Sequence, residues 1–421
     1  MLLKLYRFIT RYFSFLVRLY LNYRLFKGKE DSERFYERLG YASADRKEGF
    51  LIWFHAASVG ESVSVVPLIS EISKKFPHIN ILMTTGTLTS SKLMASRLPN
   101  NVIHQFIPVD TYDSVHRFLS HWQPNLAIWV ESELWPNLII ETKKSNCELL
   151  LINGRMSDES FRKWKNNLEF AEKIISNFSL CLVQTEDDKF KYNDIGSPKT
   201  IIAGNLKYEA PTLPSNPEAL GNLILQIGNR NIWLCASTHI GEEEIIIEAH
   251  KKLQEVYPDI LTIIMPRHPK RARDIEKLIS NSNLKFATRS KNQKIKPETD
   301  IYLADTIGEV GVFYRVANIV FMGGSLITHG GQNPLEAARL GCAIISGKNY
   351  FNFQEVYTEM KIKKAVILVK DSEAIFQNVK NLIADYNLQK QAANLAFEYV
   401  ESKKGILANY LNHIEGFIRN E

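Results

Sequence analysis

At 421 residues the chain is too long for one ordinary hydrophobic core, and its 45% apolar, 23% charged composition is that of a globular protein, so two domains of about 150 to 200 residues are expected. Cys147, Cys181, Cys235 and Cys342 are scattered and form no C-x-x-C, which argues for reduced core thiols in a cytosolic protein and against disulfides or a metal site. The net charge of +6 sits entirely in residues 1–27; the remainder balances and holds no Arg/Lys cluster interleaved with aromatics, which excludes a nucleic-acid surface.

The N-terminus reads MLLKLYRFITRYFSFLVRLYLNYRLF. Lys4, Arg7, Arg11, Ser14, Arg18 and Asn22 recur at spacings of three and four, a narrow polar stripe on a helix otherwise made of Leu, Phe, Tyr, Ile and Val. A crossing helix needs about 20 mostly apolar residues, and each Arg near the bilayer centre costs about 2.5 to 3.5 kcal/mol. Residues 1–27 are therefore expected to lie in the membrane interface as an amphipathic anchor, basic stripe toward anionic head groups. The alternative is a helix packed on the protein's own surface. No small-residue cleavage site marks a signal peptide.

From residue 28 onward, short apolar runs alternate with helix-like stretches. Strands are expected at 50–55, 79–85, 102–108, 126–131, 148–153, 180–185 and 200–203. The first ends in FHAASVGES, residues 54–62, where very small residues lead to Glu61. Ser58-Val59-Gly60-Glu61 matches a capping box, yet Pro67 would then fall inside the helix. Spacing alone leaves helix cap and catalyst equally open for Glu61. WVESELWPN, residues 129–137, places Glu131 and Glu133 at another strand end, and Trp129, Trp135 and Pro136 suggest an enclosed setting in which an acid needs a partner or a task. AGNLKYE brings Lys207 to the end of this region.

Pro211, Pro214 and Pro217 mark residues 208–217 as a linker between a first domain, 28–207, and a second, 218–421. Strands are expected in the second at 232–236, 261–266, 301–304, 317–322, 343–346 and 365–369. Strands alternating with helices over both halves indicate α/β architecture with two doubly wound, Rossmann-like parallel sheets, whose ligands bind in a cleft at the carboxyl ends of the strands. CASTHIGEEE, residues 235–244, sets Ser237, Thr238 and Gly241 at a strand-to-helix junction able to donate to a phosphate. MPRHP, residues 265–269, ends a strand with Arg267, a natural phosphate or carboxylate partner. In MGGSLITHGGQNPLEAA, residues 322–338, Gly323, Gly324, Gly330 and Gly331 permit close backbone approach. Asn333-Pro334-Leu335-Glu336 reads as a helix start with Asn at the cap, Pro first and Glu third. Glu336 either completes that cap or accepts ribose hydroxyls at a nucleotide site, the reading favoured here because two Gly-Gly pairs exceed what a cap needs.

Taken in order, HAASVGE at 55–61, ESELWPN at 131–137, NGRMS at 153–157, GNLK at 204–207, ASTHIGEEE at 236–244, PRHP at 266–269 and GGSLITHGGQNPLEAA at 323–338 cover nearly the whole chain. Together they resemble the bacterial 3-deoxy-D-manno-octulosonic acid (Kdo) transferases of lipopolysaccharide synthesis. Gly154, Gln332 and Ala337 stand where Ala, His and Pro are more usual in that family. The resemblance implies a B-type glycosyltransferase fold at the cytoplasmic face of the inner membrane. It implies CMP-Kdo as donor and the lipid A precursor, lipid IVA, as acceptor; one attack from the face opposite CMP would make the enzyme inverting, and with a single phosphate leaving and no D-x-D pair in a matching loop, no metal and no cofactor are expected. It also implies Glu61 as general base and Glu131 and Lys207 as transition-state stabilisers. Pro266, Arg267, Ile307, Gly308, Glu309, Asn333, Pro334, Leu335 and Glu336 would bind CMP. Two other readings fit the motifs: a B-type transferase using another sugar nucleotide, and a non-catalytic, membrane-peripheral nucleotide-binding protein with no use for Glu61.

Overall fold

Seven apolar runs in the first half form one parallel sheet: β1 Leu51–His55, β2 Asn80–Thr85, β3 Val102–Phe106, β4 Leu126–Val130, β5 Glu148–Gly154, β6 Leu180–Val183 and β7 Thr200–Ile202. The order is β3-β2-β1-β4-β5-β6-β7. Side chains alternate across the sheet with the period of two that a strand imposes. Leu51, Trp53, Ala127, Trp129, Leu149 and Leu151 join one core cluster. Ile52, Phe54, Leu126, Ile128, Val130, Leu150 and Ile152 join the other. Both faces are covered, so the strands read as continuous apolar runs rather than alternating ones.

The second half repeats the plan with β8 Ile232–Thr238, β9 Leu261–Pro266, β10 Phe286–Thr288, β11 Ile301–Leu303, β12 Ile319–Met322, β13 Ala343–Ser346 and β14 Ile367–Leu368, in the order β10-β11-β9-β8-β12-β13-β14, again parallel. Thirteen of these strands lie where the sequence places them. The additional one, β10, is a three-residue edge strand, too short to carry a periodic signal. In each sheet the winding reverses beside its first strand, between β1 and β4 and between β8 and β12. Such switch points are where doubly wound sheets open a crevice at the strands' carboxyl ends.

The computed structural model describes residues 1–209 and 212–418, which fall into two units: 1–209 with 405–418, and 212–404. The expected second domain, 218–421, is thus too long at its end. The helix Ile406–Ile418 places Tyr410, Ile414 and Ile418 in the core of the first sheet, beside Phe54, Val65 and Leu68. An amphipathic pattern tells that a helix buries one face but not which sheet it covers. Of the expected linker, Tyr208 and Glu209 belong to a 3₁₀ turn, Leu206–Glu209, and Pro217 opens the helix Pro217–Ile227, capped by Asn216; residues 210 and 211 lie outside the described residues.

The N-terminus differs from expectation in two ways. It is two helices, Leu2–Tyr12 and Ser14–Phe26, interrupted at Phe13. Its polar stripe is also partly turned inward. Tyr6 donates to Asp110 Oδ2 (2.7 Å), Thr10 accepts from Asn137 Nδ2 (2.9 Å), Arg7 pairs with Glu141, and the Arg11 guanidinium stands 4.6 Å over the Tyr112 ring. Leu2, Leu5, Phe8, Ile9, Phe15, Leu16 and Leu19 are left exposed. The partners that draw the stripe inward lie a hundred or more residues away, beyond the reach of helical periodicity. Among the described residues, no helix is long and apolar enough to cross a membrane.

Candidate active site

Beyond β1, the small residues Ala56 and Ala57 lead into the helix Val59–Lys75. A variant of the capping box forms: the Ser58 hydroxyl accepts from Glu61 N (3.3 Å) and donates to Glu61 Oε1 (2.6 Å), while the backbone N–H that donates to Glu61 Oε2 (2.8 Å) is that of Ala57, one residue before the cap. The helix runs on through Pro67, so the proline does not decide against the cap. Each carboxylate oxygen keeps a further lone pair, so capping does not close the group to a proton. Burial pushes the Glu61 carboxyl above the usual carboxylate range, and the Glu131 and Glu133 charges push the same way, against the hydrogen bonds from Ser58 and Ala57.

Glu131 follows β4 directly in a left-handed conformation, φ 61°, which costs a non-glycine residue and persists only where its surroundings fix it. Those surroundings are visible. Glu131 N donates to Ile152 O (2.9 Å), Lys207 Nζ lies 2.9 Å from Glu131 Oε1, and Asn153 Nδ2 donates to the same oxygen (3.3 Å). Asn153, at the end of β5 and also left-handed (φ 53°), accepts from Leu206 N with its side-chain oxygen (3.0 Å) and so fixes the segment that carries Lys207. Its own N–H donates to the Tyr410 hydroxyl (3.2 Å), which donates onward to Gly204 O (2.8 Å). Glu61, Glu131 and Lys207 thus share the carboxyl edge of the first sheet beside its switch point. Tyr410 has no signal in the sequence, and Asn153 enters there only as part of NGRMS, with no role of its own; the Asn153-Gly154 pair following a strand is the signal that could have drawn attention to it.

The second unit gathers its motifs at the corresponding edge. Gly323 is required there, because a Cβ would meet Ser237 O at 2.4 Å. The loop beyond it is held by Glu242, a fully buried acid that sequence reasoning missed. Its carboxylate accepts from Gly324 N (2.6 Å), Ser325 N (2.9 Å), Leu326 N (3.0 Å) and His239 N (3.0 Å). Nothing local separates Glu242 from Glu243 and Glu244 in a run of three acids. Pro266 closes β9, and Arg267 follows it with an exposed side chain. Burial holds the His239 imidazole down at about 4, and the charges of His329, His268, Arg267 and Arg271 act in the same direction.

The remaining candidates follow β11 and β12. Ile307 is exposed, Gly308 has φ 89°, and the Glu309 carboxylate accepts from Arg289 Nε (3.0 Å) and Nη2 (2.5 Å) and from Thr306. That carboxylate is committed to Arg289, so the segment offers a ligand chiefly its backbone. The expected helix start at Asn333 is displaced: Asn333 Oδ1 accepts from Leu335 N (3.1 Å), Pro334 takes the cap position, and the helix is only Leu335–Arg339. Five residues sum few peptide dipoles, so the anion-binding argument from the helix end is weaker than the sequence suggested. Glu336 lies near the buried Tyr314 phenol, which burial and then the Glu336 charge raise. The His239 and His329 rings lie 3.7 Å apart between centroids, tilted by 35°, and no metal-holding group of His, Cys, Asp or Glu occurs among the described residues.

Residues 33–210 match the family model described as 3-deoxy-D-manno-octulosonic-acid transferase (kdotransferase). Over 397 residues the chain is 38% identical to the 3-deoxy-D-manno-octulosonic acid transferase of Rickettsia bellii, covering 94% of each. The chain belongs to the Kdo transferase family. The family's Haemophilus influenzae member is 33% identical over 92% of each chain. As a Kdo transferase the chain is a glycosyltransferase of lipopolysaccharide synthesis. A solved glycosyltransferase from Rickettsia africae, only 13% identical, aligns with TM-score 0.59 over 89% of this chain and 100% of its own, which accords with the B-type glycosyltransferase fold.

Proposed function

We propose that this Kdo transferase moves Kdo from CMP-Kdo to the lipid A precursor, lipid IVA, with inversion at the anomeric carbon, at the cytoplasmic face of the inner membrane. The observation that carries the reading is the Glu61 carboxyl, raised by burial and set beside the Glu131–Lys207 pair at the switch point of the first sheet. A sugar hydroxyl is a poor nucleophile, and a carboxylate of raised proton affinity is suited to take its proton. The hydroxyl oxygen bonds to the anomeric carbon as the bond from that carbon to the CMP phosphate oxygen breaks. The proton passes to Glu61, and the electron pair leaves with CMP. Lys207 and Glu131 steady the charge that develops at the sugar.

Arg267 offers a guanidinium to the phosphate, and Pro266, Ile307, Gly308 and the Asn333–Glu336 segment cradle the nucleotide, Glu336 at the ribose. The exposed apolar residues of the N-terminal helices suit an interface with anionic lipid, Lys4 and Arg18 reaching head groups. Incubating the purified chain with CMP-Kdo and lipid IVA and weighing the lipid tests this: a mass gain of one or more Kdo residues is expected. An unchanged lipid, with the donor intact, would reject it.

A further inference from the structure

In the first unit, the N-terminal helices and the carboxyl ends of β1 to β3 line an open cavity of about 450 Å³, within the range that binds small ligands. Tyr6, Val17 and Tyr20 line it from the helices, and His55, Ala57 and Trp135 from the opposite side. We infer that this cavity seats one acyl chain of the acceptor lipid, with the chain's polar root at the His55 imidazole; the inference rests on the acceptor reading above. Three observations point to that occupant. Val17 and Tyr20 belong to helices whose outer face exposes Leu16 and Leu19, so apolar surface continues from outside the helices into the cavity. The opposite side includes Ala57, whose N–H donates to Glu61 Oε2 (2.8 Å), so a chain held there presents its head group beside the proposed base.

The third observation is an unpartnered polar atom. His55 is the most buried of the lining side chains; its Nδ1 lies 3.1 Å from the Thr84 hydroxyl, while its Nε2 has no hydrogen-bond partner among the described residues. Buried polar atoms left without partners are uncommon, and a ligand group is one way to satisfy them. A hydroxyl on the acyl chain is of the right kind, since it follows an apolar tail and meets either tautomer of the ring, while an acyl carbonyl meets the tautomer protonated at Nε2.

The test compares acylated lipid IVA with its fully deacylated, water-soluble form in the transfer assay. Val17→Trp, a substitution on a partly exposed helical position, is expected to raise KM for the acylated acceptor more than about tenfold, because several methylenes lose their burial. The deacylated acceptor and CMP-Kdo should keep theirs within about twofold. His55→Phe, which keeps a ring and removes both nitrogens, is expected to raise the acylated KM about three- to tenfold. An acceptor carrying a diazirine at the end of one acyl chain should label Val17, Tyr20 or Ile107. Transfer by the unaltered chain with no change in KM for Val17→Trp would overturn this inference alone. Label confined to Leu5, Phe8 and Leu19, or cavity labelling by a diazirine phospholipid in preference to the acceptor, would also overturn it. No transfer by the unaltered chain would reject the acceptor reading and this one together.

Discussion

Glu61 holds two roles that single substitutions can separate. Ser58→Ala removes the cap hydroxyl and leaves the carboxylate, so it should cost about 1 kcal/mol in urea unfolding while kcat stays within about threefold. Glu61→Gln keeps the shape and one acceptor oxygen but cannot take a proton; kcat should fall by about 10²- to 10⁴-fold with little change in CMP affinity. Retained turnover in Glu61→Gln, with a stability loss equal to that of Ser58→Ala, would leave the cap as its whole function. The direction of the Glu61 shift also sets a pH dependence. The base works only when ionised, and burial together with the Glu131 and Glu133 charges holds the carboxyl above 4.5, so the acid limb of kcat/KM should lie above that value. Glu133→Gln, which removes one repelling charge, should move the limb to lower pH. A limb at an ordinary carboxylate position in both proteins would mean another group titrates. The leaving group carries a single phosphate and the sequence has no D-x-D in a matching loop, so turnover should survive EDTA; loss restored by magnesium would overturn that expectation.

At the level of elements, the N-terminal helices are part of the first unit as well as a surface. Asp110 accepts from Asn137 N (3.0 Å), Leu138 N (2.7 Å) and the Tyr6 hydroxyl, so one carboxylate caps the helix Pro136–Lys144 and docks the helix Leu2–Tyr12. Asp110→Ala strands buried donors, each costing about 1 to 3 kcal/mol, and urea unfolding should register a loss of about 3 kcal/mol. Tyr6→Phe gives up only the docking bond and should cost about 1 kcal/mol. Deleting residues 1–26 also removes Arg7 from Glu141 and Leu21 from Phe35 and Leu39. The shortened chain should therefore melt several degrees lower, beyond any weakening on membrane-embedded acceptor, while CMP binding stays intact. An unchanged melting curve would make the helices a detachable anchor. The polar stripe was legible as a stripe; its direction was not, because Asp110, Asn137 and Glu141 only come alongside it once the sheet is built.

For the whole molecule, the alternation of apolar runs announced both sheets because strands buried on two faces leave a signal that needs no partner to read. Glu131 could be picked out from the Trp and Pro residues around it. Asn153 and Glu242 could not be weighed in the same way. Asn153 matters through Leu206 and Tyr410, and Glu242 through the amides of Gly324 to Leu326, contacts spanning from about fifty to more than two hundred and fifty residues. The C-terminal helix belongs to the same class, and removing residues 405–421 should destabilise the first unit and cost activity, since Asn153 loses the Tyr410 hydroxyl and the sheet loses Tyr410, Ile414 and Ile418 from its core. Preserved melting and turnover would make that helix an accessory. Its position has a bearing on how the protein is made. Domains usually mature in the order they leave the ribosome, the N-terminal one first. Here a segment that completes the first unit is translated after residues 212–404, so that stretch can finish folding while the unit bearing Glu61 still lacks Tyr410, Ile414 and Ile418 from one face of its sheet.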